Sequence, residues 1–108
     1  MSEQLLVDWK RRLENRDDLL HLYERKHLNI IVNVEDFSAW IEIHSGIVEL
    51  HADSQSLSTV SLHVKATKDI AVKLFNGERK LTMFPAELAS WKGRYSDCLL
   101  FETLLYLP

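Results

Sequence analysis

Through the middle of this chain apolar and polar residues alternate, and toward both ends the spacing changes. From Ala39 the sequence runs Ala-Trp-Ile-Glu-Ile-His, then Ser45-Gly46, then Ile-Val-Glu-Leu-His-Ala-Asp. After a loop over Ser54–Ser58 it continues Val-Ser-Leu-His-Val-Lys-Ala as far as Ala66. A period of two predicts half-buried strands, because successive side chains of a strand point to opposite faces. Upstream, Leu28-Asn-Ile-Ile-Val-Asn-Val-Glu35 is rich in β-branched residues and predicts the first strand. Leu28, Ile30, Val32 and Val34 share one of its faces. Ser45-Gly46 predicts a two-residue hairpin turn, since glycine accepts the positive φ such turns need. That turn sets a register with Ile43 opposite Val48, Ile41 opposite Leu50 and Ala39 opposite Ala52 on an apolar face. Glu42 then meets Glu49, Trp40 meets His51 and His44 meets Ile47 on the other. The fourth strand is expected over Val60–Ala66, and short loops between consecutive strands predict an antiparallel meander with one wet face.

The two ends read as helix. Leu5, Leu6, Trp9 and Leu13 recur at spacings of three and four behind Ser2, a candidate cap, while Asp8, Arg11, Arg12 and Glu14 make a solvated face. Asn15-Arg16-Asp17-Asp18 interrupts the pattern before Leu19, Leu22 and Tyr23, so one bent helix or two short ones both fit. Thr67 predicts the cap of a helix over Lys68–Asn76, stopped by Gly77, with Ile70 and Leu74 inward and Val72 and Phe75 as further candidates for that face. Pro85 can open a helical turn through Ala89. The last strand is either Lys92–Ser96 or Lys80–Phe84. Cys98–Leu107 has only Glu102 and Thr103 as strongly polar residues. It predicts a helix capped by Ser96 or Asp97, apolar enough that it must be buried or cover something. A strand with Leu99, Phe101, Leu105 and Leu107 on one face is the alternative. The expected fold class is α+β, an antiparallel, mostly five-stranded meander sheet with helices packed on one face. It forms a single domain over 1–108, helical over about 2–25 and sheet-containing over about 28–107.

Composition works mainly by exclusion. A chain of 108 residues, 46% hydrophobic and 27% charged, can build one core without disulfides or metals. A net charge of -3 leaves no clustered excess of Lys and Arg, so no nucleic-acid partner is expected. Cys98 stands alone and fits a reducing compartment. No apolar run approaches the roughly 18 residues of a membrane span, and the charged N-terminus does not read as a secretory signal; a cytoplasmic location is expected. Phosphate loops, glycine-rich dinucleotide turns and Gly-x-Ser-x-Gly elbows are missing from the sequence.

Candidate chemistry is confined to the polar face of the strands. If the register continues into the fourth strand, Glu49 faces His63, beside Glu42, with His51 and His44 on the diagonals. Imidazoles and carboxylates in reach of one another can hold a divalent metal such as zinc. Charge pairing on a solvated face explains the same residues, so the expectation is no metal, no cofactor, no catalytic residue and no enzyme. Cys98 reads as a small buried hydrophobe, lacking a local His to activate it. Trp40, an aromatic on the wet face, marks a candidate interface, and a homodimer is left open.

Trp-Ile-Glu-Ile-His-Ser-Gly at 40–46 resembles the second strand and turn of the sterol carrier protein type 2-like family. Lys68-Asp-Ile-Ala-Val-Lys-Leu-Phe-Asn-Gly77 looks like that family's short helix ending in Gly, and Lys92–Asp97 before an apolar helix is similar to its last strand and closing helix. Ser96 stands where the family usually has Gly. The resemblance implies a non-enzymatic domain that binds or carries a lipid or other hydrophobic ligand in a tunnel between sheet and helices. The implied ligand contacts are Ile43, Leu50, Leu62, Val64, Leu74, Phe75, Leu100, Phe101 and Leu104. The competing reading is that these nine fill the core, because burying each contributes about 1.5–3 kcal/mol and an empty cavity costs stability in proportion to its volume. In that case the same fold serves as an interaction or dimerisation module without a ligand.

Overall fold

The computed structural model describes residues 3–35, 37–51 and 59–108. The first helix, α1, spans Glu3–Glu14 and buries Leu6, Trp9 and Leu13, as their spacing requires. Its expected cap, Ser2, lies outside the described residues. The chain then breaks, and a 3-10 turn over Asp17–Leu19 leads into α2, Leu20–Tyr23, giving two helical pieces rather than one bent helix. Five strands follow: β1 His27–Val34, β2 Phe37–His44, β3 Ile47–His51, β4 Leu62–Ala66 and β5 Ala89–Gly93. Two further helices are α3, Lys68–Phe75, and α4, Tyr95–Tyr106. Among the described residues no helix is long and apolar enough to cross a membrane.

The β2–β3 hairpin has the expected register, with Ile43 opposite Val48, Ile41 opposite Leu50 and Glu42 opposite Glu49. Ser45 and Gly46 both have positive φ, at 49° and 80°, which a two-residue turn of the primed type demands. Ala52 and Asp53, expected at the end of β3, lie outside the described residues.

The meander expectation is corrected. The sheet order is β3-β2-β1-β4-β5, and β4 runs parallel to β1, so the sheet is mixed. The physical reason lies in β1 itself. Leu28, Asn29, Ile30, Val32 and Val34 are all buried, so this strand needs a neighbour on each side and cover on its inner face. Val32 pairs with Ala39 on one flank and with Val64 on the other. With β1 and β2 between them, Glu49 of β3 cannot face His63 of β4; His63 instead pairs with Ile31 and bonds Asn33.

Smaller corrections concern the ends of elements. Val60 is exposed and precedes β4 rather than opening it. Lys80–Phe84 is not a strand: Leu81–Met83 is a 3-10 turn. The last strand lies three residues earlier than Lys92–Ser96, and Tyr95 and Ser96 already belong to α4. Arg94, not Ser96 or Asp97, occupies the cap position of α4. Cys98–Leu107 is helical, which removes the strand alternative. Thr67 caps α3 as expected, its side chain accepting from Ile70 N–H.

Among the described residues a hydrophobic cluster joins the inner sheet face to α1, α3 and α4. Trp9 is its pivot, edge-on to Phe75 of α3 and Phe101 of α4 at centroid distances of 5.5 and 6.2 Å.

Candidate functional site

The nine residues expected to contact a ligand divide unevenly. Ile43, Leu62, Val64, Leu74, Phe75, Phe101 and Leu104 are buried within the one core cluster. Leu100 and Leu50 are partly buried and pack against it. Sheet and helices bring the nine to a common layer against the core.

Leu50 alone of the nine borders a groove of about 310 Å3 between α1 and the β2–β3 hairpin. Leu6 and Val7 form its helical wall; Phe37, Ala39, Trp40 and Leu50 form its sheet wall, and Glu3, Ser38 and His51 stand among them. The groove exists because α1 turns Leu6 into the core while Val7, the next residue, remains 38% exposed. Leu50 pairs with Ile41 on the buried face of the hairpin, while Trp40 pairs with His51 on the outward face, and Trp40, Leu50 and His51 all border the groove. Trp40, expected to mark an interface, thus borders the groove. Val7 and Phe37 were not singled out from sequence; their pattern shows only that they flank buried positions.

A second depression of about 360 Å3 lies at the opposite edge of the sheet, lined by Leu81, Phe84, Ala89, Trp91 and Tyr95 among others. None of the nine expected contacts borders it.

On the outward face the structure rearranges the polar cluster. Glu42 sits at its centre, on the middle of the three strands β1, β2 and β3. His51 Nε2 stands 3.0 Å from Glu42 Oε1 and His27 Nε2 stands 3.2 Å from Glu42 Oε2. Glu49 lies 3.6 Å from His51 and 3.5 Å from His44. The His51 hydrogen bond holds the Glu42 carboxyl below the ordinary range; burial opposes this, and the His27 bond adds to it. His27 was missed from sequence because it precedes the apolar run that marks β1.

No protein-family sequence model matches the chain, and no curated protein matches it in sequence. Solved structures do match. The UbiJ-SCP2 ubiquinone synthesis protein superposes with a TM-score of 0.70 at 13% identity, over 92% of this chain and 90% of that one. The sterol carrier protein-2 like-3 from Aedes aegypti gives a TM-score of 0.63 at 11% identity, over 93% and 92%. The chain has the sterol carrier protein 2 fold. The sterol carrier fold also recurs inside a larger chain: a double mutant of the sec-alkyl sulfatase PisA1 matches at a TM-score of 0.70 and 15% identity, over 97% of this chain but 16% of that one. At such identities the likeness is one of fold.

Proposed function

We propose that this sterol carrier fold is a non-enzymatic binding domain for a lipid or other hydrophobic ligand, whose apolar part lies in the groove between α1 and the β2–β3 hairpin. The observation that carries this reading is the groove itself, walled by Leu6, Val7, Phe37, Trp40 and Leu50. Its volume lies at the lower end of the roughly 300–1,000 Å3 usual for ligand sites. The names of two structural neighbours refer to sterol and ubiquinone, both largely apolar molecules. Each buried methylene contributes about 0.8 kcal/mol, so micromolar binding near 8 kcal/mol needs about ten of them. That favours a long chain over a compact polar metabolite. A chain longer than the groove would reach the other eight expected contacts, Ile43, Leu62, Val64, Leu74, Phe75, Leu100, Phe101 and Leu104, only by parting α3 and α4 from the sheet.

Titration with a fluorescent long-chain fatty acid tests the reading. Saturable binding that unlabelled fatty acid displaces, and that Val7→Glu abolishes, is the expected result. Val7 is exposed enough for the charged variant to fold. Binding unaffected by Val7→Glu would remove the groove from the account.

The burial of seven expected contacts favours a second reading, an interaction module with a filled core. It requires a stable oligomer on sizing that Trp40→Ala weakens; a monomer unchanged by dilution excludes it.

A further inference from the structure

The outward face of the β1–β2–β3 sheet carries three imidazoles and two carboxylates within contact of one another, and the hydrophobic-ligand reading uses none of their chemistry. We propose that Glu42, Glu49 and His51 form a binding site for one divalent transition-metal ion of the zinc class. Glu42 and Glu49 are direct cross-strand partners, and like charges placed opposite each other destabilise a strand pair. The Glu42 side chain is only 20% exposed and that of Glu49 45%, so solvent screens the repulsion incompletely on the Glu42 side. A divalent cation between the two carboxylates cancels their charge. His51, opposite Trp40 on β3, brings a nitrogen ligand to the same point.

Distances agree with this. One ligand atom from each of the three residues lies within 4.8 Å of the others. Nitrogen and oxygen ligands stand about 2.0–2.2 Å from zinc, so neighbouring ligands of a tetrahedral ion are about 3.3–3.6 Å apart. His51 Nε2 lies 3.0 Å from Glu42 and 3.6 Å from Glu49, close to that edge length before any adjustment. The second oxygen of each carboxylate is engaged by another imidazole, Glu42 by His27 at 3.2 Å and Glu49 by His44 at 3.5 Å. Such outer partners orient ligating carboxylates and raise affinity. A ligand set of one imidazole and two carboxylates suits zinc and its transition-metal neighbours better than calcium or magnesium, which take oxygen ligands.

The test is calorimetric titration of zinc chloride into the chelator-treated full chain, made without a polyhistidine tag, with magnesium chloride as the comparison. One saturable zinc site per chain is expected, with no comparable heat from magnesium and a higher melting temperature in zinc. His51→Ala and Glu49→Gln should each weaken zinc binding by about tenfold or more. Glu49 is half-exposed, so its variant should keep the fold; circular dichroism verifies this. His63→Ala, an imidazole on β4 outside the cluster, should bind zinc as the parent does. Absence of saturable zinc binding, or binding that survives both His51→Ala and Glu49→Gln, overturns the proposal.

Discussion

Trp9 shows how much one residue can organise. Its ring fills the angle between Phe75 and Phe101, and its Nε1–H donates to Leu104 O at 2.9 Å. That carbonyl belongs to the last turn of α4, where the helix supplies no partner of its own. Trp9→Ala should therefore cost about 3–5 kcal/mol. Trp9→Phe keeps most of the packing and loses the bond, for about 1–3 kcal/mol. Urea melts compare the two, and a Trp9→Phe variant as stable as the parent would show that the hydrogen bond contributes nothing. Cys98 offers a prediction of a different kind. Burial, with the nearby Glu102 charge adding to it, pushes its thiol up to about 11 from 9.0. Between those values the folded chain keeps the proton and the unfolded chain loses it. Stability should fall as pH rises from 9 toward 11, by up to about 1.4 kcal/mol per unit. Melts across that range should fall less steeply for Cys98→Ala, and parallel curves would contradict the assignment. At pH 8 an alkylating reagent should label Cys98 only on unfolding.

At the scale of elements, the hairpin was the most legible part of the chain and the crossover the least. Ser45-Gly46 and strict alternation on both sides leave one register that keeps Ile41, Ile43 and Val48 on the buried face. The place of β4 is a long-range choice, and alternation in Leu62–Ala66 is the same whichever strand it joins. One signal was present: Ile30-Ile31-Val32 is too apolar for an edge strand, which points to neighbours on both sides of β1. Helix ends were hidden for a related reason, since distant side chains complete them. Arg12 of α1, expected in solvent, donates to Phe75 O at the end of α3, and Arg16 donates to Leu107 O beyond α4. Glu102, a charged residue in the apolar last helix, is buried and accepts from Thr82 N–H at 2.8 Å, which holds the 3-10 turn where a strand was one expectation. Gly93 closes β5 with φ 146°, and a Cβ there would stand 2.5 Å from Ser61 O, a backbone atom. Gly93→Ala should cost about 1–3 kcal/mol, with the midpoint of a urea melt reduced and its slope unchanged. An unshifted midpoint would mean that the β4–β5 pair yields freely.

For the whole molecule, the sterol carrier fold and the burial of most expected contacts between sheet and helices have to be read together. The apolar positions expected to line a tunnel were visible as a face, because periodicity shows which side chains point inward. It cannot show whether they meet one another or a ligand, since both demand the same residue types. The structure buries seven of the nine within the core, packs the other two against it, and leaves an open groove beside Leu50. Val7 and Phe37, which complete that groove, follow from the docking of α1 on the hairpin and from no local pattern. The measurement that bears most directly on the hydrophobic-ligand account is native mass spectrometry of the full chain purified from a heterologous host without detergent. The account predicts a population heavier than the polypeptide by the mass of one lipid, lost on organic extraction and absent from Val7→Glu. The bare polypeptide mass alone, unchanged when long-chain fatty acid is added back, would contradict it.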